Sequence, residues 1–571
     1  LDWGAKEQTD GIRQEMDYNF RKLTEWLLFG LIDFDFISEA LWKQQTPDEE
    51  LDGQGDFLVG KMKYEVILVP NCVTIRRSTL ERLRAFRKKG GRVIFTGTVP
   101  THVDAVRCSD AADFAASCEI IGFAENLLTS ALLPVRTVDV HNQDGVRVSN
   151  MLYQMRQDSD RKWLFLAHCM PMKNPDIPNR EDLTIRIRGE WRPVLYDAMT
   201  GEIREVPYEK DKGDTLIRQT VFDHDSLLYA LYPAASEHSE TGDSARRGSV
   251  EAVSPSAGIQ EASGRRIILP DDVEVSLEEP DVAVLDLAEA SFDGGPWQER
   301  DEILRIDNKF RAITGYPMRI DAFPQPWVEP EKEEIRHRLA LRFRIHADRE
   351  ITKPFLALEN AEETKLTLNG VPVPSAVTGY YVDRAIRTVA LPDLKAGENI
   401  LTAEMPYYNK FNVEVMYLLG DFGVRTAGHS ILLTEPVRRL AFGDICGQGL
   451  PFYGGNLTYK IPVNVSRDCT LRVEATQFRC PVIGIRLDGQ DCGRIAFSPY
   501  SLEIRDVKAG EHLLEITAFG NRVNTFGTLH NCNHTERWFG PNAWRTTGPA
   551  WAYEYQLRPG GILISPVITE I

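Results

Sequence analysis

The chain has 571 residues, 43% hydrophobic and 26% charged, with a formal net charge of -18. That length implies about four domains of ~150 residues, enough to bury several cores. An acidic chain without a long Lys/Arg run lacks the concentrated positive surface that nucleic acid or an anionic membrane requires, whereas a neutral partner such as a sugar meets no such objection.

Residue 1 is Leu and a helix is expected to begin soon after it, so the sequence reads as a piece of a longer chain. Residues 13–29 place Met16, Phe20, Leu23 and Leu27 at helical spacing. "LIDFDFIS" then reads as a short strand, and "KYEVILVPN" (63–71) as a strand buried on both faces. "STLERLRAFRKKGG" (78–91) is a helix with Ser78 as N-cap, basic residues in its last turn and Gly at its end. "RVIFTG" is the next buried strand. Strand and helix alternating in this way predict a doubly wound parallel α/β domain over 1–135. The segment ahead of the first helix, "LDWGAKEQTDGI", is too polar for a central strand, so the domain is expected to lack its first strand.

From 136 to 235 the pattern is short alternating strands, "WLFLAHC", "LTIRIRG" and "SLLYALYP" among them, with "DAMTGEI" as a hairpin loop; this predicts a small β-sandwich. Residues 236–265 are rich in Ser and free of aromatics, the composition of a flexible linker. The remainder reads as nearly all β and holds an internal repeat. "LTLNGVPV" (366–373) precedes "VALPDLKAGENILTAEM", and "IRLDGQDCG" (485–493) precedes "LEIRDVKAGEHLLEITA". Each copy sets an Asn-Gly or Asp-Gly hairpin turn before a "D-[LV]-K-A-G-E-[NH]" segment and a further strand. Two copies predict two related β-sandwiches, 266–435 and 436–571.

Chemistry-bearing motifs are sparse. Nine scattered Cys without a C-x-x-C pair point to reduced thiols in a cytoplasmic protein, not to disulfides or a zinc site. Cys72 follows a buried strand but lacks the small neighbours of a nucleophile elbow, so an amidotransferase-like role is set aside. No phosphate-binding Gly loop occurs, and no cofactor or metal is expected. The carboxylates of "DFDFISE" (33–39) could form a glycosidase pair, but they fit a strand end and helix cap better. The densest signal is "HNCNHTERWFGPNAWRTTGPAW", His530 to Trp551. Indoles stack on pyranose C–H faces while Arg, Asn and His satisfy hydroxyls. Trp538, Trp544, Arg545, His530, His534 and Asn542 are therefore the candidate sugar-contacting residues, with Trp551, at the start of "WAYEYQL", assigned to the core.

"GQGLPFYGGNLTYKIPV", "IRLDGQDCG", "DVKAGEHLLEI" and "NTFGTLHN" together resemble the jelly-roll sugar-binding domain of family 2 glycoside hydrolases. "DEILRIDNKFR" (301–311), "PQPW", "GYYVDRAI" and "YLLGDFGV" are similar to the C-terminal half of glycoside hydrolase family 106, the α-L-rhamnosidases. The α/β domain resembles the flavodoxin-like domain of those proteins and of family 42 β-galactosidases. The resemblance implies two tandem galactose-binding-like jelly-rolls and a catalytic (β/α)8 barrel N-terminal to this sequence. A barrel needs ~250 residues, so no catalytic residue is carried over. The chain is thus expected to be the ancillary, carbohydrate-binding part of a bacterial glycoside hydrolase acting on plant or microbial glycans; the alternative is a stand-alone carbohydrate-binding or scaffold protein. Its expected partners are an oligosaccharide or glycoside and the missing barrel, and homo-oligomer formation is left open.

Overall fold

A computed structural model describes residues 7–45, 57–234, 264–318, 335–533 and 547–571. The chain divides into two compact units, Leu1–Asn174 with Pro178–Ala252, and Pro175–Ile177 with Val253–Ile571. The expected linker, 236–265, falls almost wholly outside the described residues.

The first unit opens with the helix Glu7–Phe29 and contains a three-stranded parallel sheet in the order Val66–Val69, Arg92–Thr96, Glu119–Ile121. Successive residues of these strands feed opposite cores. Val93 and Phe95 join the helix Arg77–Lys88 through Leu80, Leu83 and Phe86, while Ile94 joins Leu23 and Leu27 of the first helix. This is a sheet covered by helices on both faces, which is why its strands read as unbroken apolar runs. Two local expectations need correcting. Helix Arg77–Lys88 begins one residue before Ser78, and no side chain of its own N-cap, Arg76, caps it. Instead Glu39 and Asp104 accept from the Arg76 and Arg77 N–H groups at 3.0 Å each, so distant carboxylates do the capping. Its other end is as expected: Gly90 at φ 91° lets the Gly91 N–H reach the Phe86 carbonyl and its own N–H reach that of Arg87, a Schellman closure. The segment "LIDFDFIS" (31–38), expected as a strand, pairs with no strand among the described residues.

Residues 138–233 form two antiparallel sheets, one of five strands and one of four, packed over Val138, Leu164, Ile185, Ile217 and Tyr229. The "DAMTGEI" segment links strands Trp191–Tyr196 and Ile203–Glu205, paired Tyr196 to Ile203.

The second unit is predominantly β, in two sandwiches. In each, the repeat noted in the sequence has the same form. Strands Lys365–Leu368 and Val371–Val373 turn at Asn369-Gly370, and Ile483–Leu487 and Gln490–Ile495 turn at Asp488-Gly489, every turn residue at positive φ. The first strand of each hairpin pairs antiparallel with the strand that follows "K-A-G-E", Gly397–Tyr407 or Gly510–Ala518. The turn acid or amide then ties both ends: Asn369 accepts from Ile400 N and donates to Asn399, while Asp488 accepts from Leu513 N and pairs with His512 at 2.7 Å. Two of the differences between the copies, Asn369 for Asp488 and Asn399 for His512, are thus one exchange of a matched contact. Gly370→Ala, placing a Cβ at φ 79°, is expected to cost ~1 kcal/mol, read as a fall in melting temperature.

The strands Arg265–Ile267 and Asp272–Leu277 pair with Val567–Glu570, Arg439–Ala441 and Leu457–Val465. They therefore belong to the C-terminal sandwich, although the expected division at 436 assigned them to the other one. One element breaks the all-β expectation: the helix Ile303–Thr314, capped by Glu302 and closed by Gly315 at φ 77°. It buries Ile303, Ile306 and Phe310, and Phe310 lies between Phe292 and Tyr407, each ring centroid 4.3 Å away. It also buries an ion pair completely. Arg311 donates to Asp307 at 2.9 Å and to the carbonyls of Asn409, Phe411 and Pro317, while Tyr407 donates to Asp307 at 2.7 Å.

Candidate functional site

His530, Trp551, Tyr553 and Tyr555, near the end of the chain, meet the first sandwich of the second unit at Asp286, Asp301 and the start of helix Ile303–Thr314. Asp286 lies between two strands, an acid in the apolar run "VAVLDLA". The short strand Asp301–Glu302 pairs with Leu287–Ala288, which brings Asp301 and Glu302 beside it. His530 and Trp551 are brought together because the chain between them is closed at its base. Asn531 bridges Trp551, Cys532 N–H donates to Ala550 O at 2.8 Å, and Ala552 N–H donates to His530 O at 3.0 Å.

The result is a cleft of about 90 Å³ lined by Asp286, Glu302, Glu414, Tyr417, His530 and Trp551, among others. That is room for several waters or one edge of a sugar ring. His530 is buried, and its two nitrogens face pure acceptors: the Asp286 carboxylate at 3.0 Å and the Ala552 carbonyl at 2.8 Å. Only the imidazolium donates to both. Burial opposes that charge, but the Asp286 hydrogen bond and the nearby carboxylates outweigh it and lift the His530 pKa above its usual range. Tyr555 donates to the other Asp286 oxygen at 2.9 Å. Glu302 spends its oxygens on the N–H groups of Leu304 and Arg305. Burial and, to a smaller degree, the charge of Asp286 push its pKa up to about 7, against the pull of these bonds. A carboxyl pushed up to about 7 beside an imidazole raised above its usual range, in one cleft, is the pattern of a working site.

Asp301, just outside, is the opposite case. Burial works against its charge, but Lys309 at 2.6 Å and Arg305 at 2.8 Å hold it below the ordinary carboxylate range, and Tyr553 donates to it at 3.0 Å. Trp551 is half-buried. The Arg305 guanidinium covers its ring at 4.3 Å and Tyr553 packs edge-on at 4.5 Å, so it is neither a plain core residue nor an open stacking face. Its indole N–H is enclosed and meets no acceptor among the described residues. An enclosed unpaired donor on the wall of a cleft is a group waiting for a ligand or a water.

Of the residues expected from sequence, His530 lies in this cleft. Trp538, Trp544, Arg545, His534 and Asn542 lie outside the described residues. Sequence reasoning missed Asp286, Glu302 and Glu414. Asp286 left a readable trace, a single charge inside an apolar strand pair; Glu302 and Glu414 left none among 84 acidic residues. Among the described residues no cluster of His, Cys, Asp or Glu could hold a metal ion. No described helix is long and apolar enough to cross a membrane, which says nothing of a β-barrel.

No family model matches the chain, and no curated protein matches it. Solved structures that match include several glycoside hydrolases. A rhamnosidase from Novosphingobium sp. PP1Y matches over 91% of this chain and 35% of its own, at 12% identity and TM-score 0.39. The Streptomyces avermitilis α-L-rhamnosidase complexed with L-rhamnose matches over 76% and 38%, at 12% identity and TM-score 0.21. An apo exo-carrageenase GH42 from Bacteroides ovatus matches over 38% and 26%, at 12% identity and TM-score 0.24. The chain thus spans about a third of the length of the first of these, 35%. Scores this low leave the functional argument to the cleft itself.

Proposed function

We propose that this chain is the ancillary, glycan-recognising part of a glycoside hydrolase-like protein of the α-L-rhamnosidase type, with the hydrolytic barrel outside these 571 residues. The observation that carries the reading is the Trp551 N–H, without an acceptor among the described residues, in a cleft shared with Glu302, Asp286 and His530. Such a set matches a sugar edge: one hydroxyl accepts from the indole N–H and its neighbour donates to a carboxylate that the His530 imidazolium holds in place. Stacking is assigned to Trp538 and Trp544, with Arg545, His534 and Asn542 as polar partners; that assignment rests on residue type alone. In the same reading the parallel α/β layer is flavodoxin-like, the two sandwiches of the second unit are jelly-rolls, and the nine thiols sit in the cytoplasm.

A glycan array probed with the 571-residue chain, followed by titration of its best ligand, tests this. Trp551→Phe keeps a ring under Arg305 but removes the N–H, and is expected to weaken binding about tenfold with little change in melting temperature, the size of one hydrogen bond in an enclosed site. An array without ligands, or unchanged affinity in Trp551→Phe, refutes the proposal.

A further inference from the structure

We propose that the parallel sheet of the first unit accepts one more strand: an apolar segment of polypeptide, joined ahead of helix Glu7–Phe29, that inserts in the sheet plane between residues 32–37 and Val66–Val69. The inference stands apart from the glycan cleft.

Val66–Val69 pairs with Arg92–Thr96 along one edge, and among the described residues no strand pairs with its other edge. Facing that edge is an open slot of about 410 Å³. Its far side is the segment holding Phe34 and Ile37; Leu23 and Leu27 come from the first helix, and Thr79 and Leu83 from helix Arg77–Lys88. Core membership places the slot in the plane of the sheet. Along the strand, Val66 and Leu68 pack toward the first helix, and Ile67 and Val69 toward the second. The far segment alternates between the same two cores, Phe34 in one and Ile37 in the other. Both segments therefore occupy strand positions, with an empty position between them and helices above and below. The wall is left open to solvent at Phe20 and Phe36, whose rings meet at 5.2 Å while 48% and 62% exposed.

A small apolar molecule would cover these side chains but leave the free backbone edge of Val66–Val69 without partners. A strand supplies them, because its alternating N–H and C=O groups continue the ladder. Parallel neighbours must be joined by a crossover, and helix Glu7–Phe29 already leads into residues 32–37. A strand placed just before that helix completes a βαβ unit. Being buried on both faces, the strand must be apolar throughout.

The test is hydrogen exchange, read by mass spectrometry over 66–69, on the full chain with Val-Val-Ile-Val-Val fused ahead of Leu1. Its control is the same fusion with Pro at the second and fourth positions, which cannot complete the ladder. The apolar fusion is expected to slow exchange there by ~10-fold or more relative to the control and to raise the melting temperature. If the fusion aggregates, the same strand is added in trans as a free peptide with Lys tails, and the same amides are expected to slow. Equal exchange in both fusions, or no protection by the peptide, overturns the proposal. So does slowing in the unfused chain that grows with its own concentration, which makes a second copy the occupant. Equal protection by a neutral detergent likewise overturns it, making the slot a small-molecule pocket.

Discussion

Arg311→Leu is expected to lower the unfolding free energy of the second unit by ~3–5 kcal/mol, because it strands the Asp307 carboxylate in a wholly buried site. Both side chains of this pair are 0% exposed. The guanidinium also closes the carbonyls of Asn409 and Phe411, which are left without that donor. The double variant Asp307→Asn with Arg311→Leu, which leaves no buried charge, is expected to recover part of the loss. Calorimetry reads this directly: the transition that falls in Arg311→Leu belongs to the second unit. A single variant that melts with the parent chain would mean that helix Ile303–Thr314 does not depend on the pair.

Glu302→Gln is expected to flatten that transition's pH dependence between pH 5 and 8. Burial raises the folded pKa of Glu302 from 4.5 to about 7, so the folded chain holds a proton that the unfolded chain has already lost in this interval. The stabilisation is complete below the unfolded value and disappears as pH rises through about 7. The difference amounts to roughly 3 kcal/mol. His530, also raised from its unfolded value, has the same sign: its contribution is full below 6.5 and is lost at higher pH. Between pH 5 and 8 the parent chain should therefore weaken more steeply than Glu302→Gln. Parallel pH profiles for the two would place the Glu302 carboxyl in water rather than in the cleft.

The sequence was legible where the physics is local. Asn369-Gly370 and Asp488-Gly489 announce their turns because only such residues take positive φ cheaply. Gly90 announces a helix end for the same reason, and the apolar run over Val66–Val69 announces a strand packed against cores on both faces. What was lost depends on distant partners. Arg265–Ile267 and Asp272–Leu277 join the C-terminal sandwich through strands far along the chain, a pairing that no local pattern encodes. Residues 32–37 carry strand composition but pair with no strand among the described residues. Helix Ile303–Thr314 was readable from Ile303, Ile306 and Phe310 with Gly315 behind them, yet it was absorbed into an all-β reading of its surroundings. The site illustrates the same divide. His530 stood out by its Trp-rich neighbourhood, whereas Asp286, 244 positions away, becomes meaningful only when folding brings its carboxylate to the imidazole.

The central claim is that a sugar edge occupies the cleft beside Trp551. A crystal of the 571-residue chain soaked with the best ligand from the glycan array tests it most directly. The account predicts a sugar hydroxyl accepting from Trp551 Nε1 at ~2.9 Å, with a second hydroxyl donating to Glu302 or Asp286. A sugar bound elsewhere on the second unit, with only water between Trp551 and Glu302, would contradict it.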